Sequence, residues 1–211
     1  DLNEIRGFGR KKPLLAFLYL MGALGIGGVP LWSGYISKTL LHESVVEYSR
    51  KLSEGIITPV FFSAGGMKVV EWAFLISGGL TVAYMTKLFA AVFVEKNNDA
   101  ALQEKYDAQK NYMSPLSAGV LLLGGLLFPV MGMLPGITMN RLADLGQGFM
   151  GLAKAGERVS YFSPGNLKGG LISIAIGVVL YLLAVRGWMM KRGGNSVYID
   201  RWPKVLDLEE Y

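Results

Sequence analysis

The sequence predicts an all-α, polytopic transmembrane helical bundle with one discontinuous (broken) helix, and three observations predict it. Hydrophobic residues make up 52% of the 211 positions and charged residues 18%, with a mean hydropathy of +0.37. A water-facing domain carries about 25% charged residues, so too little charge is present to cover a soluble surface. Four long stretches hold the apolar residues: 13–37, 116–135 and 169–185 contain no charge, and 72–94 contains only Lys87. Crossing a hydrocarbon core of about 30 Å takes roughly 20 such residues in a helix. Buried helices of soluble proteins rarely run so long without a polar stripe.

Taken in order, residues 1–12 form a basic, glycine-containing lead-in loop. Pro13 suits a first helical turn, where the missing N–H would have no partner anyway. From Leu14 a helix is expected to about Leu24, where Gly25-Ile26-Gly27-Gly28-Val29-Pro30 places three glycines and a proline within six residues. Such a cluster breaks or unwinds a helix, so Gly27, Gly28 and Pro30 mark the break. Helix resumes near Gly34 or Tyr35 and continues to about Tyr48. The 35 residues of 14–48 would reach about 52 Å as one straight helix, too long for a single span. A discontinuous membrane helix fits, its irregular centre packed inside protein.

Further spans are expected at 69–94, 116–135 (kinked or ended around Pro129 and Pro135) and 168–190. Polar connections occupy 49–68 and 95–114, a glycine-rich interfacial helix 139–157, and a polar tail 191–211. These divide the chain into a lead-in (1–12), a transmembrane domain (13–190) and the tail. The chain opens on Asp1 rather than Met, with a loop-like segment before the first span, and a piece of a longer protein is expected. With the lead-in on the inside, twelve Lys and Arg fall in inside segments against seven outside. That balance favours a cytoplasmic lead-in and tail in an integral membrane protein, expected in a prokaryotic plasma membrane.

Composition excludes several function classes. No cysteine is present, which removes disulfides and thiolate metal sites, and one histidine is too few for a histidine-built metal centre. The net charge of +5 calls for no nucleic-acid partner, since many basic residues flank the spans. Gly25-Ile26-Gly27-Gly28 lacks the strand and later acidic residue of a dinucleotide fingerprint. No catalytic set and no cofactor site is expected.

The residues that carry chemistry cluster around the break. Lys38 lies eight positions after Pro30, where the helix restarts. A lysine at membrane depth costs several kcal/mol, so it faces a polar cavity or a partner, or else snorkels to the interface. Lysine out of water releases its proton more readily, and a broken helix offers carbonyls and amides that hold water or an ion. His42 follows four residues later on the same helical face, and Glu43 adjoins it. Lysine, histidine and glutamate in a row suit a proton relay, whereas a helix end already at the aqueous surface would leave His42 and Glu43 merely solvated. Lys87, seven residues before Val94, has three readings: a proton carrier, a partner for a carboxylate elsewhere, or a snorkeller. Glu71 is expected at the membrane boundary.

The run Lys12-Pro13, then Gly25-Ile26-Gly27-Gly28-Val29-Pro30-Leu31-Trp32-Ser33-Gly34-Tyr35-Ile36-Ser37-Lys38, resembles the antiporter-like subunits of respiratory complex I. Subunits of Mrp-type Na⁺/H⁺ antiporters and of membrane-bound hydrogenases belong to the same family. Its signature is a Gly-Ile-Pro-Pro-like break followed by Gly-Phe-x-Ser-Lys; here Gly28-Val29-Pro30-Leu31 stands at the break and Tyr35 replaces the phenylalanine. The aromatic-rich second span with Tyr84 and Lys87 looks like the family's next helix, and the tail Trp202-Pro203-Lys204-Val205-Leu206-Asp207-Leu208-Glu209 resembles the ends of hydrogenase-type and Mrp-type members.

By that resemblance Lys38 matches the lysine of the family's second broken helix, thought to exchange protons near the exit side. The implied mechanism moves protons along a central axis of water and side chains, driven by redox chemistry in partner subunits. The chain would then be the C-terminal portion of a larger subunit, without cofactor, and at most a non-catalytic part of an oxidoreductase. Its partners would be other membrane subunits, the lipid bilayer, and protons or Na⁺. Alternatives are an Mrp-type antiporter subunit, a non-conducting structural membrane subunit, and an independent transporter with a site at the break.

Overall fold

The computed structural model of the chain describes residues 1–151, 158–190 and 196–199. Among them the fold is all helical. Helix α1 is short, Leu2–Ile5; α2 spans Pro13–Gly27 and α3 spans Ser33–Ser53. Helix α4, Ala64–Phe89, runs on through a π-helical turn, Ala90–Val94. Next come α5 (Ala100–Ala108), α6 (Pro115–Met133), α7 (Met139–Phe149) and α8 (Pro164–Leu180), the last continuing as π-helix over Tyr181–Met189. Three of these, at Ala64–Val94, Pro115–Met133 and Pro164–Met189, are long and apolar enough to cross a membrane. The expected tail lies outside the described residues, as do positions 152–157 of the expected interfacial helix.

Local sequence explains the helix ends. Ser63, Asp99, Ser114 and Ser163 each accept a backbone N–H at the start of a helix, and Pro13, Pro115 and Pro164 occupy first-turn positions. Pro129 sits within α6. Helix α2 stops at Gly28, whose φ of +73° is open to glycine without strain. The Gly28 N–H donates to Gly25 O at 3.0 Å and the Val29 N–H to Leu24 O at 3.1 Å, the paired bonds of a Schellman motif.

Helices α2 and α3 run in one sense along α4. Tyr19 donates to the Met85 carbonyl (3.1 Å), Gly27 packs on Val82, His42 meets Glu71 and Ser49 donates to the Ala64 carbonyl (3.4 Å). Numbers rise along α2 and α3 as they fall along α4, so both helices run antiparallel to it, with residues 28–32 between them. Helix α8 lies parallel to α4: Ser173 donates to the Leu75 carbonyl (2.9 Å), and Gly79 and Gly177 face Ile176 and Val82. Small residues let these backbones approach closely, as membrane helices require in the absence of a hydrophobic drive. Helix α6 follows α2 and covers the break, with Gly125 on Leu18 and Gly132 against the backbone of Leu31 and Trp32.

At the other end of the bundle the π-turn after α4 leaves carbonyls that the lead-in uses. Gly7 N–H donates to Ala91 O and Gly9 N–H to Val92 O, both at 2.9 Å. Asn3 and Tyr198 exchange two hydrogen bonds of 2.9 Å, so the lead-in and residues 196–199 sit at the same end.

Gly34 tests this packing, because a Cβ there would run into the carbonyl group of Gly25. Gly34→Ala should lower the thermal midpoint in detergent by several degrees, in line with about 1–3 kcal/mol for overpacking. Gly119→Ala, at a position facing open space, should leave the midpoint unchanged or slightly raised.

Candidate ion-translocation site

The break is a polar interruption in an apolar setting. Its last α2 carbonyls and first α3 amides lack helical partners. Leu31 adopts φ +76°, an uncommon conformation for a bulky side chain, and Trp32 is extended, with its indole Nε1 buried and without a hydrogen-bond partner among the described residues. Lys38 reaches back across this gap. Its ammonium donates to Gly27 O at 3.2 Å, at the C-terminus of α2, where the helix dipole favours a cation. Gly28 has to be glycine for a second reason, since the Lys38 stem occupies the place of a Cβ.

Lys38 borders a cavity of about 40 Å³ between α3, α4 and α8, shared with Thr39, His42, Asn166 and Ser173. One water needs about 10–15 Å³, so two or three would fit among these groups. At the far end of the cavity, His42 Nε2 lies 3.2 Å from Glu71 Oε1, and the imidazole stacks on Phe74. Gly169 and Gly170 let α8 close over His42 and Tyr35. Tyr35 is buried and donates from its hydroxyl to the Tyr161 carbonyl at 2.6 Å. Burial raises the Tyr161 phenol above its ordinary range, with a smaller opposing effect of Arg158, and that hydroxyl donates to Asn140 Oδ1. The loop 158–163 is thus pinned to α3 and α7. On its other side Lys38 also borders a wide apolar groove lined by Leu18, Tyr19, Ile26, Met85 and Phe128.

The sequence-predicted residues therefore separate. Lys38 and His42 share the cavity. Glu43 instead faces Glu47, Gln147 and Arg158 beside α7. Lys87 lies nine residues along α4 from Gly78, about 13 Å from the Lys38 end. Its ammonium sits 5.5 Å from the centre of the Tyr198 ring, in a second charged cluster.

Glu95 centres that cluster. It makes an ion pair with Arg6 (2.9 Å between Nε and Oε2), a second with Arg186, and accepts from the Tyr198 hydroxyl at 3.1 Å. The Arg6 and Glu95 side chains are only 6% and 11% exposed, so this pair is desolvated. Arg6 also donates to the Ser196 carbonyl, joining the lead-in to the segment after α8. Beside it Lys12 is fully buried with its hydrogen bonds on carbonyls: it donates to Phe8 O (2.6 Å) and Tyr106 O (3.0 Å) and lies 4.0 Å from the centre of the Phe8 ring. Burial lowers the Lys12 pKa, partly offset by Asp107. Sequence reasoning did not anticipate the burial of either cation, because Glu95 lies 89 residues from Arg6 and Tyr106 lies 94 residues from Lys12.

Sequence comparison adds one distant relationship. No family model matches the chain, and no solved structure matches it. Over 99 residues the chain is 26% identical to NADH-quinone oxidoreductase subunit N of Flavobacterium johnsoniae. The match covers 47% of this chain and 18% of that relative's length. The apolar helices and this partial match support an integral membrane protein distantly similar to that subunit over a small part of its length.

Two outcomes follow from the Glu95 cluster. Glu95→Ala strands Arg6 in a buried position and should cost about 3–5 kcal/mol, whereas Glu95→Leu with Arg6→Met should cost much less; thermal midpoints of the three proteins check this. Burial first, then the Glu95 carboxylate, raises the Tyr198 phenol well above its ordinary value of 10.0. The neutral phenol is therefore favoured in the folded state. Its contribution is complete below about pH 10 and is lost as pH climbs through the raised value. Wild-type stability should fall over that alkaline range more steeply than that of Tyr198→Phe, read from midpoints against pH.

Proposed function

We propose that this chain is part of a proton-translocating subunit of a complex I-like, redox-driven membrane complex, with α2 and α3 forming one discontinuous span. Lys38 is its central proton-exchanging group. One observation carries the reading: an ammonium held across a helix break, on a backbone carbonyl, at the edge of a small polar cavity. The spacing Gly34-Tyr35-Ile36-Ser37-Lys38 and the likeness to a complex I subunit support it from sequence. Electron transfer belongs to partner subunits; this chain's part is to hold a proton at Lys38 Nζ and pass it to the cavity and His42. Glu43 is not in that cavity, and Lys87 belongs to the Glu95 cluster at the opposite end, where it would serve a different step. The lead-in and the tail are assigned to the cytoplasmic side on the balance of Lys and Arg.

A second reading, a non-conducting structural subunit, draws on the same bond. The Lys38–Gly27 contact would then be a staple across the break and nothing more.

The two readings part on Lys38→Ala, studied in the assembled complex in sealed vesicles with redox turnover recorded in parallel. Loss of pumping from an intact complex is expected. Lys38→Arg should also impair pumping, because arginine keeps its proton while retaining the charge for a staple. Normal pumping in both variants would leave the structural reading standing.

A further inference from the structure

The Lys38 cavity has a mouth. His42 stands at its end one helical turn from Lys38, with a side chain 16% exposed. Across from it Glu71 of α4 is 31% exposed, about twice as much, and its Oε1 is 3.2 Å from His42 Nε2. Exposure thus rises outward from His42 to the carboxylate. The ionisable groups lining the cavity with His42 are Lys38 and Tyr35 on its own helix, the Tyr35 hydroxyl being given to the Tyr161 carbonyl, and Glu71 of α4 meets the imidazole beside it; α8 contributes Asn166 and Ser173. Lys68, one turn before Glu71, is exposed.

Resting on the proton-translocation reading above, we infer that Glu71 is the terminal proton-exchange residue of this path, coupled through the His42 imidazole to the Lys38 cavity. The chemistry balances as a shuttle. A proton leaving Lys38 Nζ is taken up by the imidazole, directly or through cavity water. The imidazolium gives a proton from Nε2 to the Glu71 carboxylate, which then releases it to bulk water. Each step ends with the donor one proton poorer and the acceptor one richer, so no co-reactant is needed. Imidazole suits the middle position because its ordinary pKa, near 6.5, lies between those of lysine and a carboxylate. Phe74, stacked on the ring, and the close approach of α8 at Gly169 hold the imidazole in the plane that meets Glu71.

A structural clamp between α3 and α4 would use the same pair, so the test must separate the two. In the assembled complex in sealed vesicles, Glu71→Gln, Glu71→Asp, His42→Gln and the Glu71→Gln/His42→Gln double variant are compared with wild type and Lys38→Ala. Pumping is expressed per assembled complex and followed against external pH. Glu71→Gln and His42→Gln should each slow pumping at least roughly tenfold, as loss of a positioned proton-transfer group does. Glu71→Asp should retain most of the rate with a shifted pH profile. The double variant should be no slower than the slower single one, because the two groups act in series. Wild-type pumping per complex in Glu71→Gln, with Lys38→Ala inactive, would overturn the exit assignment while leaving the Lys38 reading intact. Reduced assembly with unchanged pumping per complex would make the pair a clamp. Wild-type pumping in Lys38→Ala would remove the reading on which the inference rests.

Discussion

The chain is organised around the need to satisfy backbone polar groups where a helix stops inside an apolar bundle. Each unpaired amide or carbonyl there costs several kcal/mol, since no bulk water reaches it. Gly28 and Val29 turn their N–H groups back onto α2, and Lys38 supplies a cation to Gly27 O. Satisfying the carbonyl also places the charge. An ammonium that must reach back eleven residues to α2 cannot follow its stem to the interface, so snorkelling and cavity-facing become exclusive alternatives at this position. Helix α6 then closes over the gap, and Gly132 and Gly34 are needed because neighbouring backbone occupies the space of their Cβ atoms.

The opposite end obeys the same rule with different groups. The π-turn after α4 exposes the Ala91 and Val92 carbonyls, which the lead-in amides take up. Arg6, Glu95, Arg186 and Tyr198 then tie the lead-in, α4, α8 and residues 196–198 together. Two buried cations, Arg6 and Lys12, are handled differently. One has a carboxylate; the other has two carbonyls and an aromatic face. Burial lowers the Lys12 pKa, and the nearby Asp107 carboxylate partly offsets it.

What the sequence disclosed depended on whether the physics was local. Helices at the apolar stretches follow from hydropathy alone. The stop after Gly27 follows from the glycine and proline cluster, and Lys38 with His42 follows from spacing on one helix. Glu71 was legible only as a boundary residue, because its partner lies 29 positions away on another helix. Glu43 adjoins His42 in sequence but is rotated about 100° around the helix axis, which turns it toward α7 and out of the cavity. Lys87 could be named as unusual, but its neighbour Tyr198 lies beyond the last span. Helix α5 inside the 95–114 connection, and α1 in the lead-in, are too short and polar to show periodicity.

Lys38 lies between two unlike surroundings, and the asymmetry bears on what such a residue can do. Toward α8 it meets hydroxyl, amide and imidazole groups leading to Glu71. Toward α2, α6 and the far part of α4 it meets a mainly apolar groove of Leu18, Ile26, Met85 and Phe128, whose polar lining groups are the hydroxyls of Tyr19, Ser33 and Ser37. A proton carrier must be loaded and unloaded by different routes, or it only equilibrates with one side. The polar cavity supplies one route, and the apolar groove is where a second would have to meet the Lys38 ammonium. Under the proton-translocation proposal, a cation shared between a polar cavity and an apolar groove would be half of a transfer device, and the interruption between α2 and α3 is what brings it to both.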